Sequence, residues 1–264
     1  MRYALYLPNF GPTGDVHTVI DLARRAEATG WDAVFVWDHF EAGALPVLDP
    51  WVALAAIATQ TERVMLGPMI VPLARRRPQK VALEAATLAA LAPGRFILGV
   101  GLGAPHDFEL FGEDSDWRVR AGKVDAGVAT LRRAWAGEEV VPGLRFFDEP
   151  LPHIPVWVSG GWPRKQPFHG VEHADGVFPI SQWSEENGWQ PLSPQQVREC
   201  LAAVPEHARG DFAIWGFDDR GAYDIEEYEA AGVTWWTVDM FQRPLEERYA
   251  IVEAGPKRYL VGSS

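Results

Sequence analysis

Cysteine is nearly missing from this chain: Cys200 is the only one in 264 residues, so no disulfide can form within it. Proteins without disulfides are typical of reducing compartments, and we expect a cytoplasmic location. Basic residues are also in deficit, because 24 Lys and Arg stand against 36 Asp and Glu and give a formal net charge of -12. Proteins that neutralise nucleic-acid phosphates need an excess of basic side chains. The charge balance therefore argues against a nucleic-acid partner.

Long hydrophobic runs and metal-ligand patterns are lacking as well. No segment approaches the roughly 20 apolar residues of a membrane span, so we expect no membrane partner. A strand pattern begins within three residues of Met1, and we therefore expect no secretory signal. Spacings such as His-x-His or Glu-x-x-His do not occur, so the sequence predicts no metal site. The 47% hydrophobic content is that of a globular protein with a substantial core.

Tryptophan, in contrast, is abundant, with 12 copies. Six of them lie at or beside predicted strand ends: Trp37, Trp157, Trp162, Trp215, Trp235 and Trp236. Indole rings offer a large apolar area and faces for stacking. The group therefore fits two interpretations, padding between a sheet and its helices or a wall for a planar ligand, and the sequence leaves both open.

Strand-like and helical patterns alternate along the chain. Eight apolar runs predict strands: Tyr3–Leu7, Ala33–Val36, Val64–Val71, Phe96–Val100, Val156–Ser159, Gly176–Pro179, Phe212–Trp215 and Thr234–Asp239. Seven segments between and after them predict helices: Val16–Thr29, Trp51–Gln60, Gln79–Leu91, Val119–Trp135, Pro194–His207, Ile225–Ala231 and Glu246–Glu253. This alternation predicts an α/β fold, a closed (β/α)8 TIM barrel that forms one domain over residues 1–264. An open, doubly wound sheet is the alternative, because strand counts from sequence err easily.

Residues that directly follow the strands form the active-site mouth of such a barrel. Asp38 and His39 directly follow the second predicted strand. An acid beside a histidine is suited to proton transfer, because histidine titrates near neutral pH. Two connections, 101–118 and 136–155, exceed ordinary loop length and are typical of lids or binding loops. The sequence thus predicts a site at the carboxyl ends of the strands.

Four segments carry a family resemblance through their order and spacing. They read ARRAEATGWDAVFVWDHF (23–40), RVMLGPMIVPLARRRPQKVALEAATLAALAPGRFILGVGLG (63–103), RAGKVDAGVATLRRAWAGEE (120–139) and PVWVSGGWPRKQPFHGVEHADGVFP (155–179). Together they resemble the luciferase-like monooxygenase family, the bacterial-luciferase barrels that include flavin monooxygenases and deazaflavin-dependent oxidoreductases. The chain is shorter than many members, so the resemblance implies a compact barrel with a reduced insertion region. The part after Pro179 is less typical.

The resemblance implies three catalytic candidates. His39 would meet the substrate or the flavin edge, and Asp38 would orient His39 or support it from behind. Glu109 would serve as an acid on the substrate side, or only anchor its loop. The alternative for the first two is a structural hydrogen bond that holds the mouth together. Ala104 stands where the family's deazaflavin-dependent sugar-phosphate dehydrogenases carry a proton-donating glutamate, so the resemblance does not support that activity.

The resemblance further implies that a ring cofactor lies across the mouth. The third strand would end in a bulge that faces the ring and contains a non-prolyl cis peptide, at Gly67, Pro68, Met69 and Ile70. Ile70 or Met69 would support the ring, although Pro68 departs from the usual small polar residue. The ring would pass closely over Gly101 and Gly103. An ordinary buried strand and an ordinary turn are the alternatives.

A phosphate of the cofactor would bind at a turn after the fifth strand. The turn is formed by Ser159, Gly160 and Gly161, whose backbone amides would hold the anion, with Arg164 beside them. A second candidate for anion binding is the run Arg75-Arg76-Arg77 after the third strand. Plain turns with solvated basic side chains are the alternative for both.

The family resemblance therefore implies an oxidoreductase in which the cofactor does the difficult chemistry. Coenzyme F420, a deazaflavin, is the favoured cofactor and would exchange hydride with a small-molecule organic substrate. FMN is the alternative, with reduced flavin and oxygen as in a monooxygenase. A flavin-binding protein without turnover is a second alternative, and a metal-dependent hydrolase lacks ligands. The resemblance also suggests a homodimer.

Overall fold

Strands and helices alternate along the chain as the sequence predicts. The structure is a computed structural model that describes residues 1–40, 43, 45–163, 170–181, 190–216, 223–241 and 243–256. Within these residues nine strands form: β1 (Arg2–Leu7), β2 (Ala33–Val36), β3 (Met65–Pro68), β4 (Val71–Pro72), β5 (Leu98–Gly101), β6 (Val156–Gly161), β7 (Gly176–Ile180), β8 (Asp211–Gly216) and β9 (Trp235–Asp239). The same described part contains the helices α1 (Val16–Thr29), α2 (Pro50–Gln60), α3 (Pro78–Leu91), α4 (Pro105–Glu109), α5 (Trp117–Trp135), α6 (Pro194–Ala203), α7 (Ile225–Ala231) and α8 (Leu245–Ala254).

The strands close into a barrel in which all neighbouring strands are parallel. Their order is β3-β2-β1-β9-β8-β7-β6-β5-β4. The two ends of this order meet, because β3 and β4 are parts of one interrupted strand and Leu66 forms a parallel bridge to Phe96, just before β5. The fold is therefore the (β/α)8 TIM barrel, and the open sheet is excluded.

The third predicted strand, Val64–Val71, is wrong in its extent. The structure interrupts it at Met69 and Ile70, so that β3 and β4 replace one continuous strand. The peptide bond between Met69 and Ile70 is cis. The interruption therefore has the form that the family resemblance implies for this position.

Helix starts follow local sequence signals. Asp15 caps α1 by accepting a hydrogen bond from the Thr18 amide at 2.8 Å. Asp49 caps α2 in the same way through the Val52 amide, at 2.9 Å. Such caps satisfy amides that have no partner within the helix. Both helices therefore begin within a residue of the predicted position, whereas α6 ends at Ala203 and not at the predicted His207.

Two apolar cores pack against the sheet, one on its outer face and one on its inner face. The larger lies between strands and helices, and the smaller fills the barrel itself. Side chains of the inner core include Tyr6, Phe35, Trp157, Phe178 and Trp235. Because strand side chains alternate between faces, the inner core fixes which residues of each strand point to the barrel axis. None of the helices in the described part combines the length and the hydropathy that a bilayer-spanning segment needs.

Candidate active site

The inward-facing residues at the carboxyl ends of the strands form a floor at one end of the barrel. We name this set the mouth floor: Trp37, Ile70, Gly161, Ile180, Trp215 and Asp239. The alternation assigns Gly161 and Asp239 to it, because Trp157 and Trp235 in the same strands belong to the inner core. Five of the six are partly exposed, whereas the inner core below them is buried. The barrel is thus filled below and accessible at the end where parallel barrels place their sites.

His39 lies beside this floor and is held by an acid that the sequence analysis did not identify. Its Nδ1 lies 2.9 Å from Oδ2 of Asp107, which is fully buried. The same oxygen accepts a hydrogen bond from Nη1 of Arg75 at 2.8 Å. An ionised carboxylate can only accept, so the proton of this contact sits on Nδ1 and Nε2 is left for a ligand. The signal for Asp107 was its place in the long connection 101–118.

Asp38 does not orient His39, and that part of the prediction is corrected. Its carboxylate accepts two hydrogen bonds from Arg76, from Nε at 2.7 Å and from Nη2 at 2.6 Å. The side chain of Asp38 is fully buried. Because Trp37 packs on Tyr6 inside the barrel, the next residue along the chain faces the other way. Asp38 can therefore support the rim but does not reach the histidine.

The arginines after the third strand are not a free anion site. Arg75 is buried against Asp107 and also donates to the backbone oxygen of Asp38, while Arg76 forms the two-pronged pair with the Asp38 carboxylate. Their charges are thus compensated by carboxylates of this chain. Arg77 is exposed next to α3. The anion site predicted at these residues finds no support at the first two, because buried carboxylates of this chain compensate their charges, although Nε of Arg75 has no hydrogen-bond partner within the described residues.

Ile70 and Gly101 meet on the mouth floor. A Cβ atom added to Gly101 would lie 2.3 Å from Cδ1 of Ile70 and 3.3 Å from the backbone oxygen of Ser159. Any larger residue at 101 would therefore push the Ile70 side chain away. Gly103 follows with φ of 74°, a left-handed conformation that favours glycine. Between β4, β5 and β6 the mouth floor therefore lies close to the backbone, because Gly101 has no side chain that projects above it.

Met69 and Ile70 have different environments, although both were candidates for supporting a ring. The Met69 side chain is fully buried in the inner core, and its backbone oxygen accepts a hydrogen bond from the Tyr6 hydroxyl. Ile70 is partly exposed on the mouth floor. Gly67 and Pro68 are buried within β3. Of these four residues, Ile70 is the one whose side chain a ligand can contact.

Ser159, Gly160 and Gly161 lie within β6 and not in a turn after it, which corrects the predicted strand end at Ser159. Gly161 is in register with Ile180 of β7, and the Trp162 amide donates to the Ile180 oxygen at 2.9 Å. Because successive residues of a strand direct their amides to opposite neighbours, the Gly161 amide faces the side of β5. β5 ends at Gly101, so this amide points past the end of its neighbour.

Two further predicted site residues, Gly160 and Glu109, do not belong to the mouth floor. Gly160 occupies an outward-facing position between Ser159 and Gly161. Glu109 is exposed at the end of α4, the helix that buries Asp107. Arg164 lies outside the described residues, as does the rest of 164–169. In the part of the chain that the structure describes, no group of three or more His, Cys, Asp or Glu side chains is placed to hold a metal ion.

Asp239 is a second carboxyl group that the sequence analysis did not identify. It is the last residue of β9 and is 6% exposed. Burial raises its pKa to about 6, although hydrogen bonds from the Phe241 amide and the Trp215 indole and the charges of Arg243 and Arg248 act in the opposite direction. The amide of Phe241 lies 3.0 Å from its Oδ1. Its position at a predicted strand end was the available signal.

Fold and site together define a (β/α)8-barrel protein whose candidate site lies at the carboxyl ends of its strands. The chain belongs to the luciferase-like monooxygenase family, whose model matches residues 1–191. It is 36% identical over 172 residues to an F420-dependent glucose-6-phosphate dehydrogenase of Intrasporangium calvum, a match that covers 58% of this chain and 50% of that protein. It is 31% identical over 268 residues to a protein of the same name from Rhodococcus erythropolis, covering 95% of this chain and 76% of that protein. The chain thus spans half the length of the first of these relatives.

Solved structures share the fold at lower identity. An F420-dependent secondary alcohol dehydrogenase in complex with an F420-acetone adduct superposes with a TM-score of 0.74 and 17% identity, covering 98% of both chains. The monooxygenase RslO1 from Streptomyces bottropensis superposes with a TM-score of 0.72 and 20% identity, covering 99% of both. At these identities the similarity shows the barrel architecture.

Proposed function

We propose that this chain is an oxidoreductase that transfers hydride between coenzyme F420 and a small organic substrate. The observation that carries the proposal is the mouth floor, where Ile70 meets Gly101 and where the Trp37 ring centroid lies 5.5 Å from that of the His39 imidazole. A planar ring needs such a surface, on which backbone and one apolar side chain allow close approach. The relatives named above favour F420 over FMN, because their names specify that cofactor.

The residues present fit a ring cofactor with a phosphate-bearing tail. Two buried polar atoms at the carboxyl ends of β2 and β7, Trp37 Nε1 and Ser181 Oγ, have no hydrogen-bond partner within the described residues. Buried polar atoms are normally paired, so these two are available to a bound ligand. A Cβ at Gly161 would meet no described atom within 4 Å, which leaves room for a phosphate against its amide. These observations support the predicted cofactor positions at Ile70, Gly101 and Gly161.

His39 would act at the reacting end of this site. Asp107 holds Nδ1, and Arg75 balances the charge of Asp107, so the ring of His39 is fixed in one orientation. Its Nε2 can then hydrogen-bond the substrate oxygen and align the substrate for reaction. When bound, F420 would supply the hydride acceptor or donor. The protein would contribute position, the exclusion of water by the rings of Trp37 and Trp215, and the hydrogen bond of His39.

Titration and turnover test this proposal. Purified protein is titrated with F420 and with FMN, and F420 reduction is then followed without and with oxygen, using 2-propanol and glucose 6-phosphate as probes. We expect tight F420 binding, weaker FMN binding and no oxygen consumption. We expect His39→Ala to lower kcat by about 100-fold or more, with the Kd for F420 changed far less. Equal losses in both would make His39 a structural residue.

Other outcomes of the same experiment favour the alternatives. Tight binding of reduced FMN with oxygen uptake would indicate a monooxygenase. Binding of either cofactor without turnover of any probe would indicate a flavin-binding protein. Absence of binding below millimolar concentration for both cofactors would overturn the proposal.

We also propose a homodimer in a reducing cytoplasm. The dimer is supported by apolar side chains that α2 and α3 expose, Val52 at 68%, Leu83 at 42% and Leu91 at 43%. The location is supported by the single cysteine, which is buried. Light scattering of the purified protein is expected to give twice the monomer mass of 29.3 kDa, and a monomer would contradict the first proposal.

A further inference from the structure

Asp239 stands apart from the other buried acids at this end of the barrel. Asp38 and Asp107 each accept hydrogen bonds from a buried or half-buried arginine. Of the two arginines near Asp239, Arg248 donates to the hydroxyl of Thr13 at 2.6 Å and to the backbone oxygen of Arg243 at 2.9 Å, while Nε of Arg243 donates to the backbone oxygen of Asp239 at 3.0 Å. Buried aspartates are usually paired with a cation. Asp239 is placed differently, since its burial outweighs the surrounding positive charge.

Strand register and the alternation of side chains place Asp239 on the mouth floor. It continues the inward-facing series of β9 after Trp235 and Thr237, and its register partner in β1 is Tyr6. Tyr6 lies beneath Trp37 and Trp215, with ring centroids 5.1 Å and 6.1 Å away. Both of these tryptophans belong to the mouth floor and are partly exposed. Asp239 therefore shares the floor with the residues proposed to face the cofactor and substrate.

The groups that face Asp239 come from each element packed against it. β1 contributes the Tyr6 hydroxyl, whose own pKa is raised by burial and by Asp239. β8 contributes the Trp215 indole, and the segment after β9 contributes the Phe241 amide and Arg243. α8 contributes Arg248, whose pKa is lowered by burial. His39 packs on the ring of Trp37, with centroids 5.5 Å apart, and Trp37 in turn packs on Tyr6.

We propose that Asp239 exchanges a proton with the substrate during hydride transfer, an inference that rests on the proposed function. In the oxidising direction, the substrate C–H bond breaks and hydrogen leaves with both electrons to the deazaflavin. The substrate O–H bond breaks at the same time, its electron pair forms the carbonyl, and the proton passes to the Asp239 carboxylate. The substrate loses two electrons and the cofactor gains two. In the reducing direction, the protonated Asp239 donates to the forming hydroxyl group.

A carboxyl group with a pKa near 6 is suited to this step, since it is ionised at neutral pH yet readily accepts a proton. Oxidation requires the ionised form, so kcat/KM for oxidation is expected to fall as the pH drops below about 6. Reduction requires the protonated form, and its rate is expected to fall as the pH rises above the same value. These opposite limbs distinguish a proton-exchanging group from a structural one.

The test compares wild type, Asp239→Asn and the control Asp32→Asn, which removes an acid at the opposite end of the barrel, where Asp32 accepts a hydrogen bond from the Tyr3 amide. Carboxyl titration by infrared difference spectroscopy on the protein without cofactor is expected to show a group near pH 6 that Asp239→Asn loses and Asp32→Asn keeps. With F420 and whichever of 2-propanol or glucose 6-phosphate wild type oxidises, Asp239→Asn should lower kcat by about 100- to 10,000-fold. The Kd for F420 should stay within about twofold of the wild-type value. The fall of kcat/KM below about pH 6, which we call the acidic limb, should vanish.

Three results would overturn the inference. An Asp239 that titrates near its ordinary value would remove the basis of the step. Unchanged kcat with a retained acidic limb in Asp239→Asn would exclude Asp239 alone and leave His39 as the proton acceptor. If wild type binds F420 but oxidises neither probe, or does not bind it, the proposed function fails and the role of Asp239 falls with it.

Discussion

Single side chains at the mouth owe their roles to the partners that the fold brings to them. His39 is adjacent in sequence to Asp38, yet its partner is Asp107, which is 68 residues away. The alternation of strand side chains separates the adjacent pair, and the helix α4 delivers the distant acid. Arg76 then pairs with Asp38, while Arg75 pairs with Asp107 at 2.8 Å and also lies 3.6 Å from the Asp38 carboxylate. Chemistry at this scale depends on the three-dimensional pairing and not on the local motif.

Asp107→Asn tests that pairing. The change leaves Arg75 buried without a full counter-charge, so we expect the free energy of unfolding to fall by about 3–5 kcal/mol. Urea denaturation measures it. Glu109→Gln on the same short helix is the matched control, because this side chain is exposed and should change stability by less than about 0.5 kcal/mol. Equal effects of the two variants would show that Asp107 is not the counter-charge of Arg75.

The stability of the protein should depend on pH through Asp239. Its pKa is raised from the ordinary 3.8 to about 6, so the folded protein binds this proton more tightly than the unfolded chain. The contribution of Asp239 to the free energy of unfolding is fully present below pH 3.8. It falls as the pH rises to about 6 and stays low above that value. At neutral pH the buried charge destabilises the fold by at most about 3 kcal/mol.

Asp239→Asn removes this dependence. The variant should gain stability relative to wild type, and the gain should be about 1 kcal/mol larger at pH 8 than at pH 5. Urea denaturation at both pH values gives the difference. A gain that is equal at the two values would mean that Asp239 has the same pKa in the folded and unfolded states.

At the scale of elements, the interruption between β3 and β4 and the end of β5 shape the floor. Gly101 at the end of β5 lets Ile70 lie over it, and Gly67 and Pro68 are buried below. Gly67, Pro68 and Gly101 belong to strands whose register fixes their height in the barrel, and Ile70 lies in the two-residue break between β3 and β4. The floor is therefore a product of strand register, to which the loops contribute little.

Gly101→Ala tests the floor directly. The added methyl group would lie 2.3 Å from Ile70, so we expect Ile70 to be displaced and the affinity for F420 to fall by about tenfold or more. Gly122→Ala on α5 is the matched control, because its Cβ meets nothing within 4 Å. That variant should bind F420 as wild type does and gain about 0.5–1 kcal/mol of stability. Unaltered F420 binding in Gly101→Ala would place the ring elsewhere.

The sequence predicted elements better than their ends and contacts. All eight barrel positions were identified, because fully buried strands read as short apolar runs between helical patterns. The apolar pattern alone missed the break at Met69, which the family resemblance implied, because the break leaves the apolar run unchanged. It also missed the extension of β6 to Gly161, because Gly160 and Gly161 are typical of a turn. Asp107 was missed because helix α4 lies inside a long connection without a strong pattern. Contacts between distant residues carry no local signal.

At the scale of the whole molecule, the barrel separates stability from chemistry. Large rings of the inner core, Trp157 and Trp235 among them, fill the barrel below and are fully buried. Above them, at the carboxyl ends of the strands, lies the mouth floor with its glycine, isoleucines, tryptophans and one acid. Of the six tryptophans near strand ends, Trp37 and Trp215 lie on the mouth floor, and Trp162 and Trp236 belong to the core between strands and helices. Trp157 and Trp235 fill the barrel itself, which neither interpretation named. A filled base is what allows the opposite end to be accessible and chemically active.

The central claim is that a deazaflavin rests on the floor formed by Ile70 and Gly101, with His39 beside it. A crystal structure of the protein grown with F420 tests this most directly. We predict electron density for the ring in contact with Ile70 and within hydrogen-bond reach of His39, and a phosphate against the Gly161 amide. Density for the ring at any other surface, or an empty mouth at saturating F420, would contradict the account.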